Sequence, residues 1–502
     1  MNRKPLSRRE FIHHVGSGVT AVSLTAFLNA CMPKPSGLNA SGSLAPDLEF
    51  TIRSVSGEVN ILDGSATQVW RYEGEVNRGA AENMQTIPGS YLGPILHARK
   101  GQHVRIHYEN QIPQESIIHW HGMHVPESAD GHPRLAIGKG ESYTYDFTIM
   151  DRAGLYWFHP HPHGNTGEQV MRGLAGLFIV TDDEEEALGL PSGEFDIPLV
   201  IQDRYFSKDN QIKYYKNDVA VFGFLGDRYL VNGQPDFVLP VATRPYRLRL
   251  LNGSNARIYA LRLSDGRPLQ VIGTDGGLLE QPVSRDFIIL SSAERRELWV
   301  DFSGYAVGSE VELVNFDPTE PDNQEKTKTV ATFRIDREES SDLALPRQLT
   351  PLNLRNEEEA VNRGNLRTFE LSMGMGMQWL INGKKFQMTA VDPNEEVKLG
   401  DLEIWEFIDD GAHMGAMQHP MHVHGLQFQV IGRESHPSFQ RVNEAVHAGS
   451  VDEGWHDTVL VLPGERVKVL LKFEDFEGLY MYHCHILEHE DMGMMRNYRV
   501  SA

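Results

Sequence analysis

The sequence predicts an all-β protein built of consecutive antiparallel β-sandwich domains. Three observations carry this. Short segments alternate apolar and polar residues, Gly and Pro punctuate them at close intervals, and no long amphipathic helix interrupts them. The 502 residues suffice for about three domains of ordinary size. A formal net charge of −22 opposes binding to nucleic acid and to anionic lipid, so no nucleic-acid partner is expected. The only cysteines are Cys31 and Cys484, so disulfide stapling is not what stabilises the fold.

Residues 1–30 read as an address. Ser7-Arg8-Arg9-Glu10-Phe11-Ile12 resembles a twin-arginine export signal, followed by an apolar stretch too short and too rich in Gly, Ser and Thr for a membrane span. Leu28-Asn29-Ala30-Cys31 looks like a lipobox, after which Cys31 would carry lipid and tether the protein to a membrane. Without that modification, cleavage nearby frees a soluble protein. Both routes place a bacterial protein outside the cytoplasmic membrane, in the periplasm or on the envelope. Residues 31–46, rich in Pro, Gly, Ser and Ala, read as a flexible tether.

A first domain is expected over 47–185. Phe50-Thr51-Ile52-Arg53, Val69-Trp70-Arg71-Tyr72, Ile95-Leu96-His97-Ala98 and His103-Val104-Arg105-Ile106-His107-Tyr108 have the strand pattern. His119-Trp120-His121-Gly122 follows. On a strand, His119 and His121 share a face, and they can tilt onto one ion or serve two neighbouring ions. The second pair, His159-Pro160-His161-Pro162-His163, closes the domain. Its prolines predict a sheet end or loop.

The middle segment, 186–345, offers strands at Ile197–Ile201, Tyr246–Leu251, Phe287–Leu290 and Leu298–Val300. No histidine or cysteine occurs from Gly164 to Ala412, so this segment reads as a spacer. An acidic, Asn-rich stretch supplies the linker 346–365.

The last domain, 366–502, carries His419-Pro420-Met421-His422-Val423-His424-Gly425 and Tyr482-His483-Cys484-His485-Ile486-Leu487-Glu488-His489-Glu490-Asp491-Met492-Gly493-Met494. Thiolate, imidazole and thioether together favour copper, and two histidines, a cysteine and a weak methionine form the ligand pattern of a blue-copper site. If the cysteine stretch enters as a strand, Cys484 faces one way and His483 and His485 the other. The cysteine's metal is then two short covalent routes from whatever the flanking histidines bind.

In this order, His-Trp-His-Gly, His-Pro-His, His-Pro-x-His-x-His-Gly and His-Cys-His-x₃-His-x₄-Met are similar to the four copper motifs of the three-domain, laccase-like multicopper oxidases, over essentially the whole mature chain. The resemblance implies three cupredoxin-like Greek-key β-sandwiches and four coppers per chain. His419, Cys484, His489 and axial Met494 would hold the type 1 blue copper. His119 and His422 would hold the type 2 copper, and His121, His159, His161, His424, His483 and His485 the type 3 pair. His163 is extra, with an outer or structural role. Asp130 and Glu490 match acidic residues that relay protons in bacterial members. The implied reaction removes one electron at a time from a small donor, passes it through Cys484, and reduces dioxygen to water.

The donor divides the family. One branch oxidises phenols and aromatic amines; another oxidises Cu(I) or Fe(II) and carries a long Met- and His-rich insert over the blue copper. Here only Leu371-Ser372-Met373-Gly374-Met375-Gly376-Met377-Gln378 stands in its place, and Gly415 replaces an Asp of that branch. Met373, Met375, Met414 and Met417 either hold Cu(I) softly or pack near the blue copper. The reading favours a laccase-type enzyme acting as a monomer, its blue copper less covered than in the metal-oxidising branch. Cuprous oxidation is the runner-up, and a copper-less envelope scaffold is the alternative from another class.

Overall fold

Strand follows strand because the side-chain pattern leaves little else. In His103–Asn110 burial alternates residue by residue: Val104, Ile106, Tyr108 and Asn110 point inward, and their neighbours do not. The computed structural model describes residues 45–215, 222–412 and 417–502. The expected export signal, Cys31, the tether to residue 44, Met414 and Gly415 lie outside the described residues.

Six sheets form three sandwiches. In the first, a four-stranded sheet containing Leu48–Val59 and His103–Asn110 faces a five-stranded one containing Gly154–Pro160 and Ile118–His121. Phe50, Ile106, Trp120, Tyr145 and Phe158 fill the space between. The middle sandwich pairs seven strands with five around Leu248, Leu261, Trp299 and Phe333. The last pairs five with five around Phe369, Trp405, Met421, Tyr482 and Cys484. Further apolar clusters join the first sandwich to the middle one (Trp157, Leu177, Leu251) and the middle to the last (Ile289, Phe316, Leu460).

The sheets are not purely antiparallel. Each contains one parallel pair, such as Leu48–Val59 beside His103–Asn110 and Arg367–Gly374 beside Leu402–Asp409. Parallel neighbours need a long connection, which alternation within single strands does not reveal. The prolines mark a sheet end, as expected, although the strand that leads to them is interior. Gly154–Pro160 is an interior strand, paired on both sides, and Pro160 is its last residue. His161 lies just beyond and donates its backbone N–H to the Ile117 carbonyl.

Candidate metal centres

Residue parity distributes the histidines. In His419–Val423, His419 and Met421 face the interior of the last sandwich, while His422 faces out of it. The strand pairs with Gly478–Cys484 so that Met421 lies opposite Cys484 and His422 opposite His483. Cys484 therefore joins His419 inside, and His483 joins His422 outside. A one-residue slip in either strand would exchange the two sets. In the first sandwich, Ile118–His121 pairs with Gly154–Pro160 and sets His119 opposite His159. Trp120, between the two motif histidines, points into the core against Tyr145 and Phe158.

The inner set is compact. Cys484 Sγ lies 3.4 Å from His419 Nδ1 and 3.6 Å from His489 Nδ1, and all three residues are buried. Met494 is buried in the same core, and its carbonyl accepts the Cys484 N–H. Burial raises the Cys484 thiol pKa and lowers that of His419 to about 3. A thiol so placed is inert unless a metal replaces its proton, and the His419 imidazole stays neutral, as a ligand must.

The outer set gathers eight buried histidines from the first and last sandwiches. His119 Nε2 lies 3.3 Å from His422 Nε2, and His121 Nδ1 lies 3.4 Å from His159 Nε2. His483 Nε2 lies 3.0 Å from His424 Nε2 and 3.3 Å from His161 Nε2. His485 packs against His121 and His159, and its Nε2 has no hydrogen-bond partner.

The outward nitrogens show what those short separations mean. His119 Nδ1 donates to the Asp130 carbonyl at 2.6 Å, His422 Nδ1 to the Asp457 carbonyl at 2.8 Å, and His159 Nδ1 to the Pro160 carbonyl at 3.0 Å. His483 Nδ1 donates to the Cys484 carbonyl at 3.1 Å, and His424 Nδ1 to Asp130 Oδ2 at 2.9 Å. His121 is reversed: its Nε2 donates to Asp457 Oδ1 at 3.0 Å. With six of the eight outward N–H groups committed to an acceptor, the inward nitrogens of those six are lone pairs. Lone pairs facing one another with no proton between them are a cation site. Burial lowers the pKa values of the set, to about 4 for His483 and about 3 for His159, and neighbouring imidazoles add to the shift at His119, His121 and His159. Both donor sets fit copper.

Two carboxyls stand behind the imidazoles. Glu490 Oε2 is 3.3 Å from His483 Nδ1 and Oε1 is 3.7 Å from His161 Nδ1. Asp130 Oδ1 has no hydrogen-bond partner. Burial raises both carboxyl pKa values well above the ordinary range, helped by Asp491 for Glu490 and by Glu127 for Asp130. His163 is exposed and turned to Phe386, away from both centres.

Several partners escape sequence reading. Asp457, in Trp455-His456-Asp457-Thr458, serves both His121 and His422. The only signal was another acid beside a histidine. Trp157 packs on His159 in a tilted arrangement with centroids 4.3 Å apart. Trp379 stacks on His489 at 4.1 Å and meets His419 edge-on at 5.0 Å. The inner site is therefore roofed by an indole. Ser292, Asn255 and Tyr214 come from the middle segment, which is more than a spacer. Ser292 Oγ is 3.4 Å from His485 Nδ1, and Asn255 and Tyr214 donate to Glu488.

An all-β chain with a Cys-His₂ site covalently wired to an imidazole cluster is, by fold and site, a copper redox protein. Comparison with known proteins narrows the class. Two family profiles, both described as multicopper oxidase, match residues 59–185 and 352–502. The multicopper oxidase mco of Staphylococcus haemolyticus is 34% identical over 420 residues, covering 82% of this chain and 83% of that one. The laccase of Bacillus subtilis is 31% identical over 481 residues, covering 86% and 90%. The crystal structure of the McoA multicopper oxidase from Aquifex aeolicus superposes with a TM-score of 0.78 at 35% identity, covering 91% of this chain and 97% of that one. The chain belongs to the multicopper oxidase family, uses copper, and couples a reducing substrate to dioxygen.

Proposed function

We propose that this chain is a laccase-type oxidase that takes single electrons from phenols or aromatic amines and delivers four of them to dioxygen. The observation that carries it is the position of Cys484. Its side chain completes the inner set, while its covalent neighbours His483 and His485 belong to the outer one. His419, Cys484, His489 and Met494 would hold one copper. His119 and His422 would hold a second, and the other six imidazoles a pair. Bound copper would supply one-electron chemistry at the inner site and dioxygen reduction at the outer one.

The protein's own residues do the rest. Trp379 seals His419 and His489 from water and offers a stacked ring through which a donor's electron can enter. Glu490 and Asp130, whose burial favours the protonated form, hold protons beside His483, His161 and His424 for release to the reduced oxygen. The methionines support an organic donor. Met375 is 99% and Met377 56% exposed on a hairpin turn, whereas Met373 and Met417 pack against the core. We extend the proposal to a monomer exported by its twin-arginine segment and retained at the envelope through Cys31 or released, and to domain limits of 47–185, 186–345 and 366–502.

Dioxygen uptake by copper-loaded protein, offered a methoxyphenol and Cu(I) in parallel, tests the donor. Uptake with the phenol well above that with Cu(I) is expected. The reverse ranking would make it a metal oxidase, and uptake with neither would favour the scaffold.

A further inference from the structure

The middle sandwich supplies no imidazole, yet besides Ser292 it sends a second side chain to the edge of the cluster. Arg295 is fully buried at the start of the strand Arg295–Asp301. Its fork grips both carboxylate oxygens of Asp457, through Nη1 at 2.9 Å and through Nη2. The remaining N–H groups go to carbonyls: Nε to Leu155 at 3.1 Å, Nη1 to Ala293 at 3.1 Å and Nη2 to Asp275 at 2.9 Å. All five donors of the guanidinium are used. Their acceptors come from all three sandwiches.

Asp457 passes this constraint on. Its carboxylate takes the Nε2 proton of His121, which leaves Nδ1 as the inward lone pair, and its carbonyl takes the Nδ1 proton of His422. His121 is thus the imidazole turned opposite to His119, His159, His161, His422, His424 and His483, whose inward nitrogen is Nε2. Gly122, next in the chain, has a φ of +85°, and a Cβ there would overlap Asp457 Oδ2 and Arg295 Nη2. The glycine that ends His-Trp-His-Gly is therefore the residue that makes room for this pair.

We propose that Arg295 is a positioning residue of the copper cluster: by fixing the plane of the Asp457 carboxylate it selects the ligating nitrogen of His121, and by anchoring Asp457 it holds in place the carbonyl that orients His422. A planar, two-pronged cation is needed for this, because a lysine would supply charge without fixing the plane. The role rests on the ligand reading above.

The test compares wild-type protein with Arg295→Lys, Arg295→Gln and Arg296→Gln. Arg296 is equally buried and shares Asp275, but pairs with Glu294 rather than Asp457. Copper-free protein is titrated with copper. Bound copper per chain, the blue absorption and the electron paramagnetic resonance spectrum of the type 2 copper are recorded. The blue absorption should persist in all variants. In the Arg295 variants the cluster's copper affinity should fall roughly 10- to 100-fold and the type 2 spectrum should change. Arg296→Gln should keep both. Arg295→Lys preserves the buried charge and carries the test if Arg295→Gln fails to fold. Unchanged affinity and spectrum in Arg295→Lys, or equal losses in Arg296→Gln, would overturn the role. Wild-type protein that binds copper at Cys484 alone would overturn the ligand reading and this role with it.

Discussion

Glu490 is the residue whose chemistry can be separated most cleanly from the rest. It faces His483 and His161 but is not part of the inner set. Glu490→Gln keeps the shape and removes the proton source. The blue colour and its bleaching by a donor without oxygen should be unchanged, while dioxygen consumption slows by about 10²- to 10⁴-fold. Stopped-flow reduction and oxygen uptake, measured on one sample, check this; slowed bleaching would place Glu490 on the electron path instead. Such a residue was legible because it follows His489 directly. Arg295 was not, because Glu294-Arg295-Arg296-Glu297 reads as a solvated charge run. All four are buried, each by ion pairs with partners far along the chain or beside it. Long-range pairing of this kind leaves no local pattern.

At the scale of elements, alternation gave the strands and parity gave the two faces of the cysteine strand, because both depend only on neighbouring residues. It could not supply the parallel pairings or the roof. The roof is the hairpin of Arg367–Gly374 and Gln378–Ile381, in which Met373 lies opposite Trp379. That register lays the indole on His489 and sends Met375 and Met377 into the turn. If the turn is not a metal-binding element, Met375→Leu with Met377→Leu should leave phenol oxidation within about twofold and stability within about 0.5 kcal/mol, as for exposed positions generally. Steady-state rates with phenol and with Cu(I) decide it; selective loss of Cu(I) oxidation would return the turn to a cuprous role.

Across the whole molecule, the outer imidazoles join the first and last sandwiches, so their protonation couples to folding. In the unfolded chain they titrate near the ordinary imidazole value of about 6.5. In the copper-free fold their pKa values are lowered, to about 4 for His483 and about 3 for His159. Between those limits the unfolded chain binds more protons than the folded one. Stability therefore falls as pH drops below about 6.5, and the loss saturates only below the folded values. Each such histidine costs about 1.4 kcal/mol per pH unit within that window. The raised carboxyls of Asp130, Glu490 and Asp457 act in the opposite direction and soften the slope, but the eight imidazoles outnumber them. Bound copper holds the same nitrogens unprotonated and adds its own binding energy to the folded state. Copper-free protein should accordingly unfold at a distinctly lower temperature at pH 5.5 than at pH 7.5, and copper-loaded protein should show a smaller difference. Calorimetry of both forms at both pH values measures this directly. Equal pH dependence in the two forms would mean that the facing nitrogens do not bind metal, since only metal can shield them from protons while leaving them buried against one another.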